Sequence, residues 1–175
     1  MRRVLVYGYG NPGRLDDGLG PAAIEALEGA VPAGVTLDSN YQLAVEDAAA
    51  VAAHEVVVFV DADATGPAPF RFDALAPAGG VSFSSHSLSP GAVLGLSRDA
   101  LGGAAEGYLL GIRGYEFDEF AERLSDGARR NLEAAVAFLR AALAEQRFAE
   151  YVTGHRGDAA VREDGGPRER EEEAR

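Results

Sequence analysis

The sequence predicts an α/β protein: a three-layer α/β/α sandwich around a small, mostly parallel twisted sheet. Three observations lead there. Two short runs, VLVYGY at Val4–Tyr9 and EVVVFVD at Glu55–Asp61, are rich in β-branched and aromatic residues, the first followed by Gly and the second closed by Asp. The second run is apolar without alternation, which in a strand means cover on both faces. Strand-like runs also alternate with helix-like stretches along the chain, the order that crossover connections fold into layers.

The elements follow in order. Val4–Tyr9 is the first strand. Pro21–Leu27 is a helix with Pro in its first turn, and Val35–Asp38 is a second, short strand. Leu43–Ala53 is helical, with the acidic Glu46 and Asp47 in its early turns. Glu55–Asp61 is the central strand. Ala64–Gly80 is a Pro- and Gly-rich loop with one short strand around Phe70, and Val81–Ser85 is a strand or extended segment. Ser89 and Pro90 supply an N-cap and first position for a helix to about Leu96. Glu106–Gly114 is a strand and Phe117–Arg123 a short helix. Ser125 caps the last helix, in which Leu132, Ala135, Val136, Leu139 and Leu143 form one apolar face.

At 175 residues the chain fits one domain, placed at residues 1–150. A charged tail follows at 151–175. From Gly154 onward it has too little apolar surface to fold and is expected to be disordered, although Tyr151 is able to dock back.

The chain has no cysteine, which removes disulfides, thiolate metal sites and a cysteine nucleophile. All 16 basic residues are arginine, which removes a lysine Schiff base and a Walker lysine. A net charge of −12 argues against nucleic acid. No apolar run reaches the roughly 20 residues of a membrane span. The N-terminus enters a strand directly and lacks the pattern of a signal peptide, so a cytoplasmic protein is expected.

The most informative stretch is Val4–Gly20, VLVYGYGNPGRLDDGLG. Gly8, Gly10 and Gly13 spell G-x-G-x-x-G, and Asp38 ends the second strand, as in a dinucleotide-binding unit. Pro12 has no N–H to give a phosphate, the helix starts too late, and two aspartates in the loop would repel a diphosphate. The plainer reading is a tight strand-to-loop turn.

Asp16 and Asp17 lie where an α/β sheet builds its site, at the C-terminal ends of its strands. Asp61 closes the most buried strand at the same edge. Asp63 is expected to turn to the opposite side from Asp61, leaving one functional residue of the two. His86 lies in SFSSHSLSP with no Lys or Arg nearby. Each also has an ordinary reading: solvated loop carboxylates, a loop cap, an exposed histidine. Ser84, Ser85 and Ser87 lack a nucleophile elbow, and His54 and His155 are read as bystanders. Together Asp17, Asp61 and His86 offer two carboxylates and an imidazole from three loops, a set suited to a divalent transition metal with open positions.

These residues resemble a known family. GNPGRLDDGLG, VVVFVDADATG and SSHSLSP occur in the order seen in [NiFe]-hydrogenase maturation endopeptidases, and Gly111-Ile112 and Leu124-Ser125 match that family's later strand and capped last helix. The resemblance covers about residues 3–145. It implies the sandwich fold and cleavage of a C-terminal extension from the hydrogenase large-subunit precursor once nickel is loaded. Its metal-contacting residues correspond to Asp17, Asp61 and His86, and a substrate-contacting acid corresponds to Asp38.

The chain departs from the family at Pro12-Gly13 and Arg14, where an apolar residue is common. Its Tyr41–Ala48 segment is similar to the version found with cytoplasmic, NAD-coupled hydrogenases. With no cysteine, lysine or elbow serine, the expected enzyme has no protein nucleophile and no permanent cofactor, the nickel being supplied by the substrate.

Two other readings stand beside this one. A nickel-sensing docking factor of the same fold would carry the same residues. Peptidyl-tRNA hydrolase also resembles the chain at GYGNPG, Gly8–Gly13, but the histidine that family carries next has no counterpart in Arg14–Gly20.

Overall fold

The structure, a computed structural model, describes residues 1–79 and 88–153. Five strands form one sheet: β1 (Val4–Tyr9), β2 (Val35–Asn40), β3 (Val56–Asp63), β4 (Phe70–Leu75) and β5 (Glu106–Arg113), in the order β2-β1-β3-β5-β4. β4 runs antiparallel to β5 and the other pairings are parallel. The helices are α1 (Leu19–Leu27), α2 (Asp47–Ala52), α3 (Pro90–Leu101) and α4 (Asp126–Glu145).

The strand period of two divides the core. Val4, Val6, Val56, Val58 and Val60 face one layer with Leu19, Ile24, Leu139 and Leu143 of α1 and α4. Leu5, Tyr7, Val57 and Phe59 face the other with Val51, Val93 and Leu94 of α2 and α3. The chain leaves β1 for β2 on one side and returns to β3 on the other. The C-terminal ends of β1 and β3 therefore flank the point where strand order reverses, the usual ligand position in such sheets.

The other expected elements within the described residues are present, α3 running on to Leu101 rather than about Leu96, with differences elsewhere. α1 begins two residues before Pro21 and is entered through a 3-10 turn at Leu15–Gly18. β2 and β3 each run two residues further than expected, to Asn40 and Asp63. α2 begins only at Asp47, whose carboxylate is tied to the Ala44 N–H at 2.7 Å and the Tyr7 hydroxyl at 2.8 Å.

A further difference is at Phe117–Arg123, which is not helical. Its backbone is drawn to the loop after β1, where the Leu15 N–H donates to Ala121 O and the Asp16 N–H to Glu116 O, both at 3.0 Å.

Ser89 and Ser125 cap α3 and α4 as their positions predict, accepting from the Ala92 and Ala128 N–H groups at 3.1 Å. The short strand around Phe70 is β4. Val81–Ser85 lies outside the described residues. Tyr151 docks: its ring meets Phe138 edge-on at 5.5 Å, and the Thr153 N–H donates to Phe72 O at 2.9 Å. Residues 154–175 lie outside the described residues. Among the described residues no helix is long and apolar enough to cross a membrane.

Candidate functional site at the ends of β1 and β3

Two glycines bring α1 against the sheet. A Cβ on Gly20 would run into the carbonyl oxygens of Tyr9 and Val60, and one on Gly8 into the carbonyl of Gly20. The helix start is thus laid directly over the ends of β1 and β3. Gly10, at φ +135°, has room for no side chain because the Asp17 carbonyl occupies that space. The loop doubles back there, returning Asp17 to its own beginning. The Asn11 N–H donates to Asp17 Oδ2 at 2.8 Å, and Asn11 Oδ1 accepts from the Gly13 N–H at 2.9 Å. α1 starts only at Leu19, well past Gly13, so no helix N-terminus meets the glycine triplet.

The two adjacent aspartates have different tasks. Asp16 is 0% exposed. Its carboxylate accepts from the backbone N–H groups of Tyr115, Glu116 and Ser125 and from the Ser125 hydroxyl. Burial pushes its pKa up, but these four donors outweigh it and hold the pKa below the ordinary 3.8. Asp16 ties the first loop to the start of α4. Asp17 is half-buried and carries its carboxylate on the other side of that turn, held by Asn11.

Asp61 and Asp63 also separate, though not as expected. β3 continues through Asp63, and residues two apart in a strand share a face, so the two carboxylates do not point to opposite sides. Their partners distinguish them. Asp63 accepts from Arg71 Nε at 2.6 Å and from the Thr65 and Gly66 N–H groups at 3.0 and 2.7 Å. Arg71 reaches it from β4 across Gly111, where a side chain would meet both groups.

Asp61 has no cationic partner among the described residues. Burial, with the charges of Asp17 and Asp63 added, raises its pKa to about 6 against the opposing hydrogen bonds of Tyr9 and the Ala62 N–H. The turn that carries Asp17 lies against Gly10, just past the end of β1, with the start of α1 on the Val60 carbonyl beside Asp61. A half-buried carboxylate pair at a switch point, one member raised toward neutrality, is the arrangement expected of a chemical site.

Asp38 lies exposed within β2, abreast of Tyr7, with its carboxylate accepting from the Ser39 N–H at 2.8 Å. His86, Ser84, Ser85, Ser87 and His155 lie outside the described residues. α3, which follows position 86, packs on the sheet face to which Phe59 and Asp61 belong. His54 sits before β3, at the opposite edge of the sheet, with Nδ1 on Ala50 O at 2.7 Å and Nε2 on Thr36 Oγ1 at 2.9 Å. Among the described residues no three His, Asp or Glu side chains are grouped to hold a metal ion.

Sequence reasoning missed Tyr9, Asn11 and Arg71 as neighbours of the carboxylates. A cleft of about 750 Å³ runs beside the loop, between α1 and residues 122–129.

No family model matches the chain, and no curated protein does. Solved structures do match. The crystal structure of a [NiFe] hydrogenase maturation protease HycI from Thermococcus kodakarensis KOD1 superposes with a TM-score of 0.65 at 24% identity, covering 82% of this chain and 93% of that one. The hydrogenase maturating endopeptidase HybD from Escherichia coli gives 0.63 at 22%, over 83% and 94% of the two chains. The hydrogenase 2 maturation peptidase from Thaumarchaeota archaeon SCGC_AB-539-E09 gives 0.60 at 22%, over 82% and 99%. The chain has the fold of these maturation proteases over nearly their whole length.

Proposed function

We propose that this protein is an endopeptidase that removes the C-terminal extension of a nickel-loaded [NiFe]-hydrogenase large-subunit precursor, acting in the cytoplasm. The observation that carries this reading is the placement of Asp61 at the end of β3 and of Asp17 in the turn folded back on Gly10 after β1, in a fold shared with solved maturation proteases.

Nickel is part of the substrate here, and no permanent cofactor is assigned to the enzyme. Asp17 and Asp61 supply hard oxygen donors, and His86 is proposed as the third contact, with an imidazole suited to nickel. Asp38 is proposed to touch the substrate chain near the same edge.

The residue set disfavours a protein nucleophile, since the chain has neither cysteine nor lysine. Water is left as the attacking group. Asp61, with a pKa of about 6, is mostly ionised at neutral pH and is basic enough to take a proton from a water. Asp16 stays outside the chemistry, with all its contacts internal.

The test is intact-mass spectrometry of the organism's own nickel-loaded precursor with and without this protein. A discrete C-terminal mass loss that requires nickel supports the proposal. Binding without mass loss would instead make the protein a docking or nickel-sensing factor, and neither binding nor mass loss would refute it.

A further inference from the structure

We infer that the cleft between α1 and residues 122–129 is a docking groove, separate from Asp17 and Asp61, for a positively charged and partly apolar segment of the precursor. The inference rests on the proposed function and adds where the substrate chain is gripped.

The cleft has a volume of about 750 Å³, enough to bury several side chains. Pro12, Pro21 and Ser39 also line a second hollow of about 180 Å³, which reaches Gly10 and Tyr41. The two form one trough beside the loop that carries Asp17, and neither Asp17 nor Asp61 lines it. An elongated trough suits a polypeptide better than a compact ligand. Its floor is apolar, with Leu15 and Ile24 buried and Leu124 half-buried.

The charges on its walls are one-sided. Arg123 is paired with Glu116 at 2.9 Å, and Arg129 with Asp126. Glu25 and Glu28 on α1 and Glu122 on the other wall are exposed. Among the described residues no cation pairs with these three. Free carboxylates around an apolar floor attract a cationic segment and repel an acidic one. At the rim, two residues before Glu122, the Phe120 ring is 83% exposed, with the Arg14 guanidinium 5.6 Å from its centroid. Aromatic anchors of this kind are enriched where partners bury them. Charge disfavours the occupants this chain itself could supply. A second copy carries a net charge of −12, and in residues 154–175 acids outnumber arginines.

The experiment uses the full-length protein and the nickel-loaded precursor. Phe120→p-benzoylphenylalanine is photo-crosslinked, and the joined peptide is read by mass spectrometry. In parallel, kcat, KM and the thermal midpoint are measured for Glu25→Arg/Glu122→Arg. The control is Asp99→Arg/Glu106→Arg, which makes the same change of charge away from the groove. The expected crosslink falls on an arginine- or lysine-bearing segment of the precursor. The groove variant should raise KM about tenfold, with kcat within about twofold and an unchanged midpoint, while the control stays within about twofold in both. Crosslinks to a second copy or to residues 154–175 overturn the inference and leave the proposed function standing. So does an unchanged KM in the groove variant of a wild type that cuts. A wild type that crosslinks to such a segment without cutting overturns the peptidase and supports the groove. A wild type that neither crosslinks nor cuts overturns both.

Discussion

Asp16 and Ser125 are 109 residues apart in sequence and share two hydrogen bonds of 2.7 Å, from the Ser125 N–H to Oδ1 and from the Ser125 hydroxyl to Oδ2. The same hydroxyl accepts from the Ala128 N–H as the cap of α4. One buried carboxylate therefore fixes the loop that carries Asp17, the turn after β5 and the start of the last helix.

Replacing Asp16 by Ala would strand three backbone N–H groups in the interior. Each buried donor left without a partner costs about 1–3 kcal/mol, so Asp16→Ala should lose about 3–5 kcal/mol of stability. Urea unfolding checks this. A loss below about 1 kcal/mol would show that water replaces the carboxylate without difficulty.

The depressed pKa of Asp16 sets the acid limb of stability. A carboxylate whose folded pKa lies below its unfolded value stabilises the fold above the unfolded value. That contribution is lost as pH falls through the folded pKa. Wild type should therefore lose stability below about pH 4, and Asp16→Asn should show a shallower fall over the same range. Thermal midpoints from pH 7 to pH 2.5 test the comparison.

Asp61 has the opposite sign. Its folded pKa of about 6 lies above the ordinary 3.8. The favourable term is complete below 3.8 and is lost as pH rises through 6, so the ionised site strains the fold at neutral pH. Asp61→Asn should raise stability by roughly 1 kcal/mol at pH 8, after allowance for solvent screening, and add little at pH 4. The same variant should process the precursor at least about a hundredfold more slowly. A variant that is both less stable and fully active would contradict the site.

Gly10→Ala should misplace Asp17 without touching its carboxylate. The new methyl group collides with the Asp17 carbonyl at a backbone angle that L-residues rarely adopt. The expected loss is about 2–4 kcal/mol, with processing reduced even at temperatures where the protein is fully folded. Gly29→Ala, also at positive φ but with nothing within 4 Å of the added methyl group, should cost less.

Much of the frame was legible because local signals and burial agree. Val4–Tyr9 is predicted and observed with the same bounds, and Ser89 and Ser125 cap the helices their sequence positions announce. Asp17 and Asp61 were legible as strand-edge carboxylates, and the structure brings them within electrostatic reach of each other. His86 falls outside the described residues.

Features decided by distant partners were not legible. Asp16 and Asp17 look alike in sequence, and only residues 115–125 distinguish them. Phe117–Arg123 reads as a short helix, but it is not helical, and Ala121 O within it and Glu116 O just before it accept from the Leu15 and Asp16 N–H groups. Tyr9 stands beside Asp61 through a strand register that no motif encodes. The misreading of Asp63 had a different source, since period two already places it on the Asp61 face.

The clasp between Asp16 and the start of α4 also orders events during synthesis. The glycine loop leaves the ribosome well before its anchors at Tyr115, Glu116 and Ser125, which are translated about a hundred residues later. At roughly 5–20 residues per second, the nascent loop spends several seconds without them. A chain truncated before Ser125 keeps both Asp17 and Asp61 but lacks the two Ser125 hydrogen bonds that tie Asp16 to the start of α4. The loop is thus fastened only once Ser125 has been made, and chains that stop short of it lack that clasp.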